Sequence, residues 1–338
     1  MNILGFREDC QASAWWRCWN WLDEFDRHGH KTQYLGMKYP SWQMDIDTSR
    51  LELMCASSDV VITSAKFFSP WIPEALIAMH KKYGFSLVVD NDDPVYMLAE
   101  NMRPWAMRIM EDADLVVLAS DLMVAQCEVT PRRSIMIPNL ANVSFFRDVN
   151  IVNRDDGAKT RIVFAGGVGH VDDYDMLRPV IERIMLERDD CEFLCVNAYP
   201  DWAIQIGIAV PQNVDYPNHI RFMKKQRPAI ALVPLKTVYR TELTTHTKYI
   251  DYTLCGIPGI YQGDHVAYSM VTHGVNGMKA DSEDGWYSSI TTLLDNPSLA
   301  AEIVTNAKND VVANLTTAEY YDRYIDAINK EASNHRAA

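Results

Sequence analysis

The sequence predicts an α/β protein with two domains, each built around a doubly wound parallel sheet. The chain has 338 residues, which allows two domains that each bury a core. Apolar segments of strand length alternate with helical patterns, as they do in βαβ units. This alternation stops in a polar stretch at residues 147–160 and restarts at Arg161. We therefore expect a domain boundary in that stretch.

In the first half, strands are expected at Asn2–Phe6, Ser58–Ser64, Phe85–Asp90 and Ala113–Ser120, with another inside Ser134–Phe146. Helices are expected over Ser13–His28, which ends before Gly29, and over Ile72–Tyr83. The first helix carries four tryptophans, and tryptophans on an amphipathic helix mostly pack in the core. The alternative is that Trp15 or Trp16, near the end of the first strand, stacks on a substrate.

In the second half, strands are expected at Arg161–Ala165, Cys191–Asn197 and Ile230–Pro234. A helix should begin at Thr247 and end before Gly256, and the next strand should follow directly. The last helix should run from Thr317 to about Ala332, because apolar or aromatic residues recur there at helical spacing. These residues are Tyr320, Tyr321, Tyr324, Ile325 and Ile328.

Composition excludes several classes of protein. The hydrophobic content is 48% and the net charge is −13, so the average surface repels nucleic acid and anionic lipid. The N-terminus has no basic segment followed by an apolar one, and no apolar run is long enough to span a membrane. The seven cysteines are scattered without C-x-x-C spacing, which favours neither disulfides nor zinc. A reducing cytoplasm is the expected location.

Polar residues are concentrated where the Thr247 helix begins. Ligands of doubly wound sheets bind outside the carboxyl ends of strands, where helix N-termini present free N–H groups and a positive dipole. The donors expected there, suited to a diphosphate, are Arg240, Thr244, Thr245, His246, Thr247 and Lys248. One turn further, Asp251 could accept hydrogen bonds from ribose hydroxyls. The alternative is an ordinary capped helix with a surface lysine.

A glycine-rich turn follows the strand at Arg161–Ala165. Gly166, Gly167 and Gly169 permit close backbone approach and left-handed dihedral angles, so their N–H groups could point at an anion. His170 follows and could contact phosphate or sugar. Glycine turns are common after strands, and a lone histidine is more often structural.

Three carboxylates cluster in D-N-D-D-P at Asp90–Pro94. Holding them together in a dry site is costly, so we expect them to face water, a cation or a substrate. One hypothesis is a D-x-D that ligates a divalent metal. The other is a solvated turn with Pro94 as its stop.

The run K-Y-I-D-Y-x-L-C-G-I-P-G-I, from Lys248, and H-G-V-N-G-M, from His273, resemble the donor-site region of GT-B glycosyltransferases, in particular the family 4-like group. The family pattern is K-x-x-E-Y-x-x-x-G-x-P-V-[IV], a loop, and H-G-x-N-G. The resemblance implies the GT-B fold, in which two Rossmann-like doubly wound domains face each other across a cleft. It also implies that Asp251, where the family usually has Glu, binds the ribose of a sugar nucleotide.

The resemblance extends to other segments. V-V-D-N-D-D-P-V-Y resembles a strand end of the family, and this implies that Asp92 or Asp93 touches the donor sugar or the acceptor hydroxyl. A metal bound to the nucleotide sugar and a solvated turn remain the alternatives for these carboxylates. N-V-D-Y-P-N-H-I, at 213–220, corresponds to the loop that holds the nucleobase, where Tyr216 could stack on the base or simply pack at the surface. The implied organisation is an acceptor domain at 1–147, a linker at 148–160, a nucleotide-sugar domain at 161–316, and a helix at 317–338 that crosses back to the first domain.

The resemblance thus implies a glycosyltransferase that moves a sugar from a UDP-, GDP- or ADP-sugar to an acceptor hydroxyl, with retention and without metal or other cofactor. The catalytic residues would be Asp92, Asp93, His170, Arg240 and Lys248. The donor-binding residues would be Gly166, Gly167, Gly169, Tyr216, Thr247 and Asp251. The acceptor, whether a glycan, a lipid-linked sugar, a small molecule or a modified DNA base, and the oligomeric state are left open.

Three other hypotheses remain at this point. A GT-B enzyme could glycosylate hydroxymethylated bases in DNA, although the net charge of −13 argues against it and the base would have to be flipped out of the duplex. A catalytically silent module could bind a nucleotide sugar as a sensor or scaffold. A nucleotide-sugar epimerase has the same fold, but the first half of the sequence does not support it.

Overall fold

The computed structural model divides the chain into two compact units, one containing Met1–Asn142 and Leu315–Ala338 and the other Val143–Asn314. The structure describes residues 1–8, 12–36, 47–95, 98–127, 129, 131, 133–142, 144, 159–210, 216–226, 229–236 and 245–337. Most of the predicted linker, residues 148–158, lies outside this range. In the part of the chain that is described, no helix is both long and apolar enough to traverse a lipid bilayer.

The first unit contains a six-stranded parallel sheet with the order β2-β1-β3-β4-β5-β6. Its strands are β1 (Asn2–Arg7), β2 (Lys31–Gly36), β3 (Val60–Thr63), β4 (Ser86–Asn91), β5 (Leu115–Leu118) and β6 (Ser134–Met136). Strands β3, β4 and β5 are buried throughout, because strands covered on both faces are continuously apolar. The predicted strands of this half are confirmed, although the last one is only three residues long.

Helices connect these strands. They are α1 (Ala12–Ala14), which continues through a π-helical turn at Trp15–Trp19 into α2 (Asn20–Arg27), then α3 (Thr48–Ala56), α4 (Trp71–Tyr83), α5 (Arg103–Asp112) and α6 (Asp121–Ala125). The sequence did not predict α3 and α5. In α3 only Leu51 and Cys55 are buried, so its apolar pattern is too sparse to stand out.

The last helix of the chain, α14 (Thr317–Ala337), packs on the first unit. Tyr324 is buried and lies edge-on against Trp21, with ring centroids 4.7 Å apart. The hydroxyl of Thr317 donates to Glu24 of α2 over 2.7 Å. Trp16 and Trp21 are both buried, which confirms the prediction of core residues for these two. Trp15 is partly exposed and Trp19 is 37% exposed, so the prediction does not hold for all four tryptophans.

The second unit also contains a six-stranded parallel sheet, with the order β12-β11-β10-β7-β8-β9. Its strands are β7 (Thr160–Gly166), β8 (Cys191–Asn197), β9 (Ile208–Val210), β10 (Ile230–Val233), β11 (Gly259–Gln262) and β12 (Met278–Ala280). The central strands β7 and β10 pair through Ile230 with Ile162 and Ala231 with Val163. Their carboxyl ends therefore lie side by side at one edge of the sheet.

The helices of the second unit are α7 (Val171–Tyr174), α8 (Arg178–Glu187), α9 (Asp201–Ile206), α10 (Tyr216–Gln226), α11 (Thr247–Leu254), α12 (Glu283–Asp295) and α13 (Pro297–Asn314). Helix α11 begins and ends as predicted, and Gly256 follows it with φ of 74°. The segment from Tyr216 was expected to be a loop, and it is a helix. Tyr216, Ile220 and Met223 recur at helical spacing and are buried, so packing against the sheet favours the helix.

The sequence predicted no disulfide framework for the seven cysteines. Six of them belong to the described residues, and none of these six forms a disulfide bond with another described cysteine. Burial raises the pKa of Cys195, Cys255 and Cys55, the last of these to about 12. These thiols are therefore inert core side chains rather than nucleophiles.

Candidate functional site

The candidate site of the second unit lies where β7 and β10 end and α11 begins. His246 is the residue before the helix, and its own side chain makes no capping hydrogen bond. The first-turn amides of α11 and its dipole therefore favour a negative group near Thr247 and Lys248. Arg240 and Thr244, which the sequence assigned to the same group of donors, lie outside the described residues.

Lys248 points from α11 to the end of β7. Its Nζ donates a hydrogen bond of 2.7 Å to the carbonyl oxygen of Ala165. Burial lowers the pKa of Lys248 to about 8, while the carboxylates of Asp251 and Asp173 oppose that shift. The ammonium group therefore lies at the edge of the sheet and is poorly hydrated. A bound phosphate would replace the lost hydration with a favourable charge interaction.

Asp251 lies one turn further along α11 and is partly exposed. The hydroxyl of Tyr216, from α10, donates a hydrogen bond to its Oδ1. Burial raises the pKa of Asp251 to about 7, and the Tyr216 hydroxyl and the Lys248 charge act in the opposite direction. Tyr216 therefore orients the carboxylate of Asp251, which was predicted to bind ribose. Tyr216 itself is buried, with 5% of its surface exposed.

The glycine-rich turn after β7 lies close to Lys248, but its backbone differs from the sequence-based expectation. Neither Gly166 nor Gly167 has a left-handed φ, so the expectation of left-handed dihedral angles is wrong for these two residues. A Cβ on Gly166 would collide with the hydroxyl of Tyr174 and lie 3.0 Å from Nζ of Lys248. Gly166 is needed for close packing, whereas Gly167 is exposed and has open space where a Cβ would be.

His170 follows in a 3-10 turn at Val168–His170. Its Nδ1 lies 2.8 Å from Oδ2 of Asp173, whose side chain is 4% exposed. The other oxygen of Asp173 accepts a hydrogen bond of 3.1 Å from the backbone amide of Lys236, just beyond β10. Asp173 therefore connects the ends of β7 and β10 and fixes the ring of His170.

Two residues of this group were missed by sequence reasoning. Asp173 lies three residues after His170, a spacing that the sequence does show, but its contact with the amide of Lys236 is 63 residues distant and could not be predicted. His219 lies one turn after Tyr216 on α10, and burial together with the charge of Lys248 lowers its pKa to about 4. The helical spacing of Tyr216, His219 and Met223 was the signal that could have placed His219 beside Tyr216.

In the first unit the structure separates the carboxylates of Asp90–Pro94. Asp90 is fully buried, and Nε of Arg17 lies 2.5 Å from its Oδ1. The hydroxyl of Tyr324 donates to its other oxygen over 2.8 Å. The expectation that all three carboxylates face water, a cation or a substrate is therefore wrong for Asp90, because an arginine and a tyrosine from distant segments stabilise it in the core.

Asp92 and Asp93 follow β4 and are both partly exposed. The amide of Asn139 donates to Oδ2 of Asp92 over 3.4 Å. Asn139 is buried and accepts a hydrogen bond of 3.2 Å from Nη1 of Arg17. The Arg17 network thus reaches the carboxylate that was predicted to contact the reacting sugars.

Two further features of the described residues concern metal binding and cavities. No group of three or more side chains suited to hold a metal ion occurs among them. A hollow of about 800 Å³ is lined by Arg188, Cys191 and Phe193, among others. Because Cys191 begins β8, this hollow lies at the amino ends of the strands, opposite the candidate site.

Comparison with known proteins bears on the fold. No protein-family model matches the chain, and no curated protein does. Solved structures match it over nearly its full length. HepE of Anabaena in complex with UDP and glucose is 11% identical, with a TM-score of 0.67 over 98% of this chain and 100% of that chain. A glycosyltransferase from Rickettsia africae is 12% identical, with a TM-score of 0.67 over 98% and 99%.

Sucrose-phosphate synthase from Thermosynechococcus elongatus is 11% identical, with a TM-score of 0.59 over 100% of this chain and 98% of that chain. These neighbours are GT-B glycosyltransferases. This chain has the GT-B fold. Its two parallel sheets with connecting helices are the two Rossmann-like domains of that fold, as the sequence predicted. At these identities the similarity establishes the fold alone, and the chemistry has to be argued from the site.

Proposed function

We propose that this GT-B chain is a glycosyltransferase that moves a sugar from a nucleotide-sugar donor to an acceptor hydroxyl. The observation that supports this most directly is the placement of Lys248 and Asp251 at one helix N-terminus, beside the ends of β7 and β10. Lys248 would bind the diphosphate and Asp251 the ribose. A solved neighbour carries UDP-glucose, so a uridine nucleotide is the first ligand to test.

Chemically, the enzyme has to stabilise the charge that develops on the leaving diphosphate. In our proposal the dipole of α11, the ammonium of Lys248, Arg240 and the turn from Gly166 to His170 do this, so that no metal ion is required. Gly167, Gly169 and Thr247 would contribute donors to the same group. Asp92 and Asp93 of the first unit would act on the reacting sugars.

The finer assignment is also a proposal. The motifs beginning at Lys248 and His273 favour a family 4-like hexosyltransferase, and such enzymes retain the anomeric configuration. The domain limits at 147, 161 and 316 belong to this proposal. Because Tyr216 is buried, it would act on the donor through Asp251 and not by stacking on the base. An NMR time course of the first product distinguishes retention from inversion, and an inverted anomer would contradict the family 4-like assignment.

The binding experiment is a thermal-shift comparison of UDP, GDP, ADP and their sugars. One nucleotide should raise the Tm of the wild type, and Lys248→Ala and Asp251→Ala should lose most of that increase, because each removes a donor or an acceptor for the ligand. Lys225→Ala is the matched control, since Lys225 is an exposed lysine at the far end of α10. Equal shifts in all four proteins would reject the site.

Transfer has to be distinguished from silent binding. If the chain is an enzyme, incubation with the stabilising nucleotide sugar should release free nucleotide, slowly to water and faster once an acceptor is present. Stabilisation without any release would instead favour the sensor or scaffold hypothesis. The DNA hypothesis predicts that duplexes containing hydroxymethylated bases act as acceptors, and no feature of the described residues favours it.

A further inference from the structure

Two side chains that can be positively charged flank the glycine turn of the second unit. A Cβ on Gly166 would lie 3.0 Å from Nζ of Lys248 and 3.3 Å from Cβ of His170. The next residue, Gly167, is exposed, and a Cβ there would have no atom within 4 Å. The turn therefore has an open outer side with Lys248 and His170 close to its base.

The carboxylate of Asp173 contacts one nitrogen of the His170 imidazole and orients the ring. The side chain of Asp173 is 4% exposed, and its Oδ2 lies 2.8 Å from Nδ1 of His170. A buried carboxylate in this position accepts a proton-bearing Nδ1, and its charge favours the imidazolium. The amide of Lys236 binds the other oxygen of Asp173, so the carboxylate cannot rotate away from the ring.

We propose that His170 and Asp173 form a dyad in which protonated His170 binds the terminal phosphate of a nucleoside diphosphate and Asp173 is its positioning residue. This inference rests on the proposed function and extends it, because it adds Asp173 and makes diphosphate affinity dependent on pH. Residues 166–170 contain no lysine or arginine. The imidazolium of His170 therefore supplies the positive charge of the turn itself, but only when it is protonated.

Other charged groups near the dyad set the pH range. The ammonium of Lys248 acts against the imidazolium, but its pKa of about 8 means that it keeps its charge at neutral pH. His219 has a pKa of about 4 and stays neutral above it. The titratable groups that interact electrostatically with Asp173 or Lys248 are Tyr174 on the same turn, His219 on α10, Asp251 on α11, and Tyr268. Asp251, with a pKa of about 7, and Lys248, with a pKa of about 8, also change charge in the range tested, so the contribution of His170 is the part of the pH dependence that His170→Gln removes.

The test is calorimetric titration of UDP and UMP into wild type, His170→Gln, Asp173→Asn and Asp172→Asn from about pH 5.5 to about pH 8.5. The preference of the wild type for UDP over UMP should fall about tenfold as the pH rises, the loss expected for one charge-assisted contact. His170→Gln should weaken this dependence and leave only the contributions of Asp251 and Lys248, and Asp173→Asn should move it to lower pH. Asp172→Asn removes an exposed carboxylate one residue away and should behave as the wild type.

Ionisation of the terminal phosphate of UDP near pH 6 is common to all four proteins, so differences between variants isolate the dyad. The proposal is overturned if His170→Gln keeps the pH dependence of the wild type, or if Asp173→Asn and Asp172→Asn behave alike. If UDP binds but pH does not matter, only the dyad fails. If UDP, GDP and ADP all fail to bind, both the dyad and the proposed function are rejected.

A second measurement does not depend on the variants folding. Nitrogen-15 NMR of the wild-type imidazoles at about pH 8, above the ordinary imidazole pKa, should show the proton of His170 on Nδ1, because Asp173 accepts it. A spectrum with the proton on Nε2 would overturn the dyad whatever the nucleotide experiments show.

Discussion

At the scale of single residues, Lys248 and Asp251 form a poorly hydrated pair of opposite charge. The pKa of Lys248 falls to about 8 and that of Asp251 rises to about 7, in both cases mainly because burial disfavours the charged form. Each residue partly offsets the shift of the other. Such perturbed values are typical of functional sites, since the cost of burying charge is compensated when a ligand binds.

This predicts how stability depends on pH. The folded pKa of Asp251, about 7, exceeds the value near 3.9 of an unfolded aspartate, so the folded state holds the extra proton between these values. The free energy of unfolding should therefore decrease as pH rises from about 4 to about 7, by at most ~1.4 kcal/mol per pH unit and by less because the carboxylate is partly exposed. Asp251→Asn should remove this contribution.

Urea denaturation at several pH values measures that slope. Asp172→Asn is the control, because Asp172 is an exposed carboxylate of the same unit and its replacement should keep the wild-type slope. If Asp251→Asn and the wild type show parallel profiles between pH 4 and pH 7, Asp251 does not titrate in the way its surroundings imply.

At the scale of elements, the motif that begins at His273 has a structural role beside the motif that begins at Lys248. Asn276 of H-G-V-N-G-M accepts a hydrogen bond of 2.7 Å from the amide of Thr272, and its own amide donates to the hydroxyl of Tyr249 over 3.1 Å. Gly274 in the same loop has φ of 75°, which favours glycine. This motif therefore orders a loop against α11 and supports the residues that face the site.

The turn after β7 gives a prediction with a built-in control. A methyl group on Gly166 would collide with the hydroxyl of Tyr174, whose ring is buried and stacks on Phe164 with centroids 3.7 Å apart. Because that ring cannot move away, Gly166→Ala should lower the free energy of unfolding by about 1–3 kcal/mol. Gly167→Ala meets open space and no left-handed φ, so it should change stability by less than about 0.5 kcal/mol.

Guanidinium denaturation of both variants checks this difference. Gly166→Ala should also weaken nucleotide binding, because the methyl group lies 3.0 Å from Nζ of Lys248. Equal stabilities of the two alanine variants would mean that Tyr174 can be displaced at little cost, contrary to its packing.

At the scale of the whole molecule, the chain returns to its first unit after completing the second. Helix α14 contributes the hydroxyl of Tyr324 to Asp90, while α1 and α2 flank the π-helical turn that contributes Arg17. Asp90 is fully buried, and burial raises its pKa while Arg17 and Tyr324 oppose the shift. Segments more than 200 residues apart in sequence thus stabilise one core charge.

Tyr324→Phe should therefore destabilise the first unit. It leaves a buried carboxylate without one of its donors, which typically costs about 1–3 kcal/mol. Hydrogen exchange of the β4 amides should accelerate, while exchange in β7 of the other unit should not change. Tyr320→Phe is the control, because Tyr320 is a partly exposed tyrosine of the same helix. Unchanged exchange in β4 would show that Arg17 alone is sufficient for Asp90.

The sequence determined the two parallel-sheet domains, the start and end of α11, and the presence of Lys248 and Asp251 on it. These depend on apolar periodicity, strand length and capping, which are local properties of the chain. The sparse pattern of α3 and the helix at Tyr216 were harder to predict, because burial against the sheet decides them.

Only the tertiary structure decided the pairings. It brought Asp173 to His170 and Lys236, placed Tyr216 on Asp251, and moved Asp90 from a supposed surface cluster into the core with Arg17. Contacts of this kind join segments between three and more than 200 residues apart. No local pattern encodes them, because the free energy of a charge depends on which groups surround it once the chain has folded.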